Sequence, residues 1–135
     1  MIVYIDENIS PYLPRALDEL EQRNPPTRRL TVRSLQDTFG KSIKDPDLIP
    51  ELGKRDAIWI TRDKKILQRG IELHLILQNN VGIVILRPGK KSKHWDMVMI
   101  LMKAWPEIRE MGKESKPFAY RLFGDGKLEK VSRIS

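Results

Sequence analysis

The stretch DPDLIPELGKRDAIWITRD, residues 45–63, holds one helix-to-strand unit of an α/β fold. Asp45 followed by Pro46 suits a helix start, with Asp45 as N-cap, and Leu48, Ile49 and Leu52 then recur at helical spacing. Pro50 lacks an amide donor, which predicts a short or irregular helix. AIWIT, residues 57–61, is an unbroken β-branched and aromatic run, the pattern of a strand covered on both faces. A helix that feeds a parallel strand runs antiparallel to it. Asp45 is therefore expected at the same sheet edge as Asp63, which follows the strand.

The same alternation extends outward in both directions. IVYI (2–5) reads as a strand that ends in Asp6, Glu7 and Asn8. SPYLPRALDELEQRN (10–24) reads as a helix capped by Ser10, with Pro11 at its first position and Leu13, Ala16, Leu17 and Leu20 on one face. LTVRSL (30–35) is a short strand, and QDTFGKSIK (36–44) is polar enough to read as a loop. KKILQRGIELHLILQNN (64–80) is helical with a break near Gly70. VGIVILRP (81–88) is a strand, and the basic run RPGKKSKH (87–94) reads as a loop or the connection into the longest helix, 91–111. PFAYRLFGDGKLEKVSRI (117–134) predicts a hairpin turning at Gly124–Gly126. The order implies an α/β fold in one domain, 1–135, with a mostly parallel sheet flanked by helices and a C-terminal hairpin.

Composition removes several classes of function. With no cysteine among 135 residues, disulfides, zinc–thiolate sites and cysteine nucleophiles are excluded. Only His74 and His94 are present, which argues against a multi-histidine site and directs attention to carboxylates. The N-terminus lacks the features of a signal peptide, and no apolar run approaches the roughly 18 residues that span a bilayer. A cytoplasmic protein with no membrane partner is expected. The net charge of +7, from 25 Lys and Arg against 18 Asp and Glu, favours an anionic partner such as nucleic acid.

In an open parallel sheet, ligands bind beyond the carboxyl ends of the strands. Asp6, Asp63 and the helix-opening Asp45 and Asp47 fall there if the first strand is central. Carboxylates gathered without matching bases repel one another, and a divalent cation relieves the repulsion. Oxygen-only ligands suit Mg²⁺ or Mn²⁺, which can activate water against a phosphodiester. Each acid also has a structural reading. Asp45 caps a helix, Asp47 complements a helix dipole, and Asp63 caps the following helix.

IDEN at 5–8, the 45–63 stretch and the following KKI together resemble the PIN-like nucleases. The similarity is closest to the small PIN-like proteins of prokaryotic toxin–antitoxin systems, including the VapC45-like group, and spans roughly residues 1–86. The resemblance implies a three-layer PIN-like domain with Asp6, Asp45 and Asp63 as catalytic metal ligands. Asp47 is a further ligand, and Thr61, Glu7 and Asn8 orient the site. Arg62, Lys64 and Lys65 are candidate RNA contacts. It also implies a Mg²⁺- or Mn²⁺-dependent endoribonuclease that leaves 5′-phosphate and 3′-hydroxyl ends, and a toxin role with a cognate antitoxin; the sequence leaves room for a homodimer. Larger PIN nucleases carry one more acid, for which Glu19, Asp37, Glu7 and Asp47 are the candidates. A phosphoryl-accepting receiver-like domain and a catalytically inactive binding module are the alternatives.

Two further expectations are structural. Trp95, Val98, Met99, Met102 and Trp105 recur at helical spacing and are expected to be core, with a partner-binding face as the alternative. His74, inside an apolar helical stretch, is expected to be packed.

Overall fold

The β-branched run Ile2–Ile5 forms strand β1, whose side chains alternate between the two faces of the sheet. The structure, a computed structural model, describes residues 1–6, 9–23, 30–90 and 92–132. The chain continues through α1 (Leu13–Gln22), β2 (Thr31–Ser34), α2 (Leu35–Phe39), α3 (Asp45–Lys54) and β3 (Ala57–Thr61). A 3₁₀ turn at Ile66–Gln68 leads into α4 (Gly70–Gln78), β4 (Gly82–Arg87) and α5 (His94–Glu110). The hairpin strands β5 (Phe118–Phe123) and β6 (Leu128–Lys130) close the described chain.

The six strands make one sheet in the order β2-β1-β3-β4-β5-β6. All pairs are parallel except β5 with β6. Strand β1 is therefore interior, with β2 on one side and β3 on the other. The chain's direction of travel across the sheet reverses there, and the carboxyl ends of β1 and β3 flank the crevice that this reversal opens.

Alternation along the strands divides the core between two faces. Val3 and Ile5 pack with Ile58, Ile60, Val84 and Leu86 beneath α1 and α5. Tyr4, Trp59, Ile83 and Ile85 pack beneath α2, α3 and α4. Glu21 of α1 is buried, accepts a hydrogen bond from Trp105 Nε1 at 2.9 Å and pairs with Arg109 at 3.2 Å, which ties α1 to α5.

Several local expectations are corrected. Residues 35–39 are helical, where Leu35 was expected in the strand and 36–39 in a loop, because Ser34 Oγ accepts the Asp37 amide and Gly40, at φ +83°, ends the turn. The first helix starts at Leu13, later than expected, although Ser10 Oγ still accepts the Tyr12 and Leu13 amides at 3.2 Å each. Helix α3 runs unbroken over ten residues despite Pro50. Its buried Leu48, Ile49 and Leu52 contribute roughly 1.5–3 kcal/mol each, which outweighs the ~3 kcal/mol cost of an interior proline.

The long helix bears out the expected stripe only in part: Trp105 is buried and Val98 packs partly against the core. Met97, Ile100, Leu101, Ala104, Trp105 and Ile108 face the core, whereas Trp95, Met99 and Met102 are exposed. Both arcs are apolar at helical spacing. The buried arc stays apolar through Ile108 to Met111, while the other runs into Pro106 and Arg109. His74 is exposed on α4, where Ile76 is the fully buried residue.

Candidate functional site

The register pairs Tyr4 with Trp59 and Ile5 with Ile60. The next step places Asp6 beside Thr61, on the face that carries α3 and α4. The ladder extends one residue further, because the Asp6 amide donates to Ile60 O at 3.0 Å. Thr61 is fully buried, and its hydroxyl donates to Asp6 Oδ2 at 3.1 Å. The same hydroxyl oxygen accepts the Asp63 amide at 3.1 Å. One hydroxyl thus ties together the acids at the exits of two neighbouring strands. Asp63 also makes the local turn expected of a helix-start aspartate, accepting the Lys65 amide at 3.1 Å.

Asp45 approaches from the third side. It is the first residue inside α3, Lys44 is the N-cap, and no side chain caps this helix start. The expected capping role is therefore not filled by Asp45. Its carboxylate lies instead in a pocket of about 540 Å³ shared with Asp6, Trp59, Thr61, Arg62 and Asp63. Burial raises the Asp45 pKa, and the neighbouring charges of Asp63, Glu72 and Asp6 add to the effect against the opposing pull of Arg69. Asp47, in the first turn of the helix, is exposed and does not line this pocket.

The raised Asp45 value has a consequence for stability. A carboxyl whose folded pKa exceeds its unfolded value stabilises the fold fully below the unfolded value, near 3.8, and loses that contribution as pH rises through the folded value. At neutral pH the ionised group is a liability. Asp45→Asn is expected to raise the melting temperature of the metal-free protein at pH 7, and the gain should vanish below the unfolded value. A lower melting temperature at pH 7 would contradict this.

Arg69, just before α4, reaches into the acids. Its Nη1 lies 2.5 Å from Asp63 Oδ2 and 4.0 Å from Asp45 Oδ2, and its Nη2 lies 3.4 Å from Asp63 Oδ1. Among the described residues, no three of His, Cys, Asp and Glu are grouped so as to hold a metal ion. The donor chemistry nevertheless suits a hard divalent cation, since carboxylates and a hydroxyl offer only oxygen. Trp59, at the pocket wall, has a buried indole N–H with no partner among the described residues.

A basic groove adjoins the acids. A cleft of about 680 Å³ is lined by Arg62, Asp63, Lys64 and Lys65 after β3, and by Arg87 and Lys90 at and beyond the end of β4. It shares Arg62 and Asp63 with the acid pocket. At its far wall the Arg87 guanidinium lies 6.0 Å from the centre of the Phe123 ring.

The structure thus brings Asp6, Asp45, Thr61 and Asp63 together, sets Arg62, Lys64 and Lys65 along the adjoining groove, and leaves Asp47 outside. Glu7 and Asn8 lie outside the described residues. Glu19 and Asp37 are held elsewhere, by Arg23 and Arg15. Five contributors were not found from the sequence: Arg69, Trp59, Arg87, Lys90 and Glu72. The acid in GIEL, in the first turn of α4, was the available signal for Glu72. Trp59 looked like any strand residue.

An acid-lined pocket at the reversal point of a parallel α/β sheet defines a class of candidate enzymes rather than a single activity. A family model, PIN like domain, matches residues 1–88, and the chain belongs to that family. The match does not single out the VapC45-like group. No curated protein and no solved structure matches. PIN-like domains are generally nucleases that use divalent metals, so membership supports a hydrolase with a nuclease-type fold. Helix α5 and the hairpin lie beyond the matched residues. Among the described residues, no helix is long and apolar enough to cross a membrane.

Proposed function

We propose that this protein is a Mg²⁺- or Mn²⁺-dependent endoribonuclease and the toxin of a type II toxin–antitoxin system. The observation that carries the nuclease reading is the Thr61 hydroxyl joining Asp6 to Asp63, with Asp45 facing them across the pocket. Asp6, Asp45 and Asp63 would hold the cation, and Thr61 fixes the Asp6 carboxylate and the backbone amide of Asp63. When bound, the cation supplies an activated water and charge stabilisation at the phosphorus. Glu7 and Asn8 keep the supporting role that the resemblance implies, whereas Asp47, exposed and outside the pocket, is given none.

The groove supports RNA as the substrate. Arg62, Lys64, Lys65, Arg87 and Lys90 line it, and cations in a row beside the acids suit successive backbone phosphates. The partly buried Phe123 ring offers a face on which a base can stack. A cognate antitoxin is the proposed protein partner, and the exposed Trp95, Met99 and Met102 supply an apolar surface for it or for a second copy. The proposed location is the cytoplasm.

The test is binding and cleavage of a labelled single-stranded RNA. In EDTA, the double variant Arg87→Gln, Lys90→Gln should flatten the slope of log affinity against log salt by about 1.4, roughly 0.7 for each phosphate no longer neutralised. Mg²⁺ or Mn²⁺ should then switch on cleavage by the wild type. An unchanged slope would mean that the groove does not carry the RNA. Salt-sensitive binding without cleavage in either metal would favour a catalytically inactive binding module instead.

A further inference from the structure

We propose that Arg69 is the built-in counter-ion of the acid pocket, a positioning residue that competes with the divalent cation for the carboxylates of Asp63 and Asp45. The inference rests on the reading that these acids hold a metal. It adds that the site is never without a cation, and that metal affinity is set partly by a residue that is not a ligand.

The geometry carries it. A single nitrogen, Arg69 Nη1, stands 2.5 Å from Asp63 Oδ2 and 4.0 Å from Asp45 Oδ2. It therefore sits between carboxylates from two separate elements, the exit of β3 and the start of α3. A cation bridging Asp45 and Asp63 would compete with Arg69 for the same two carboxylates, of which Asp63 has both oxygens within 3.4 Å of the guanidinium. Glu72, three residues further along the chain, adds a third negative group to those acting on Arg69. Without a positive charge in this position, Asp6, Asp45, Asp63 and Glu72 repel one another.

Arg69 is also placed to leave. Its side chain is 45% exposed, so turning it outward exchanges protein contacts for water with little packing loss. It sits at the junction of the 3₁₀ turn and α4, outside the helix body. A divalent ion brings two charges where the guanidinium brings one. The guanidinium contacts both oxygens of Asp63, so a cation there draws on the same carboxylate charge, which is the physical content of competition.

The test is calorimetric titration of Mn²⁺ into the full chain, stripped of metal and without RNA. Wild type is compared with Arg69→Gln, Arg69→Lys, Asp63→Asn and Lys44→Gln. The last removes a nearby exposed charge that has no pair with Asp63. Hydrogen bonds between charged groups are worth enough that Arg69→Gln is expected to bind Mn²⁺ about 10-fold tighter. Arg69→Lys should fall between, Lys44→Gln should stay within about twofold of wild type, and Asp63→Asn should lose binding. Melting curves give a second readout. Arg69→Gln should melt below wild type in EDTA and gain more than wild type from added Mn²⁺.

Unchanged or weaker Mn²⁺ binding by Arg69→Gln, with binding still dependent on Asp63, overturns the proposal and leaves the metal site standing. Equal tightening by Lys44→Gln overturns it as well, because the effect would then be one of net charge. No Mn²⁺ binding by any variant overturns the metal reading and this proposal together. Should Arg69→Gln fail to fold, a tightened Arg69→Lys supports the proposal and an unchanged one overturns it.

Discussion

Asp63→Asn is expected to leave a folded protein that cleaves RNA on the order of 10³-fold more slowly than wild type in Mg²⁺ or Mn²⁺, about 4 kcal/mol of lost transition-state stabilisation. The substitution keeps the size of the side chain and an oxygen for the Lys65 amide. It removes the negative charge that pairs with Arg69 and that a divalent cation would require. The local turn therefore survives while the electrostatic function does not. Circular dichroism should match wild type, which separates lost chemistry from lost fold. Retention of more than about a tenth of the wild-type rate by a matched preparation would mean that Asp63 is not part of the machinery.

Thr61→Val is expected to cost about 10–100-fold in Mn²⁺ affinity or cleavage rate, the range typical of residues that orient metal ligands. Valine matches threonine in shape and suits a strand, so β3 should persist. The variant loses the hydroxyl that donates to Asp6 and accepts the Asp63 amide. Both acids then lose a restraint, and the Asp63 amide is left without that acceptor. Thr61→Ser restores the hydroxyl and should recover most of the loss, which a simple packing defect would not show. Wild-type affinity and rate in the valine variant would contradict the role assigned to Thr61.

How far these residues were legible in the sequence depends on how local their signals are. The strands announce themselves through β-branched runs, and the alternation of strand and helix patterns implies the parallel sheet. The position of Asp45 and Asp63 at one sheet edge follows from chain direction alone. The place of Asp6 among them needed β1 to be interior, which strand order decides and no local pattern encodes. Asp47 shares the first turn of α3 with Asp45, yet it stays outside the pocket because the helix turns about 100° per residue. Helix α5 presents two apolar arcs, and only contact with the sheet selects between them. Arg69 was invisible for a different reason. A cation six residues past an aspartate has no characteristic spacing, and only the fold returns its guanidinium to Asp63.

The same contrast separates the acid pocket from the groove. The acids lie at strand exits, where a general rule of parallel sheets points. The groove draws Arg62, Lys64 and Lys65 from one loop, and Arg87 and Lys90 from a second segment well down the chain. Each cluster alone resembles a solvated basic loop. Side by side at the ends of β3 and β4, they become a continuous positive wall beside the acids.

The most direct test of the central claim is cleavage of mixed single-stranded RNA by the partner-free protein in Mn²⁺, beside an Asp6→Asn variant and an EDTA control. The fragment ends are then determined. Fragments with 5′-phosphate and 3′-hydroxyl ends are predicted from the wild type in metal alone, with neither the variant nor the chelated sample producing them. No cleavage by the folded wild type in Mg²⁺ or Mn²⁺, or equal cleavage by Asp6→Asn, would contradict it.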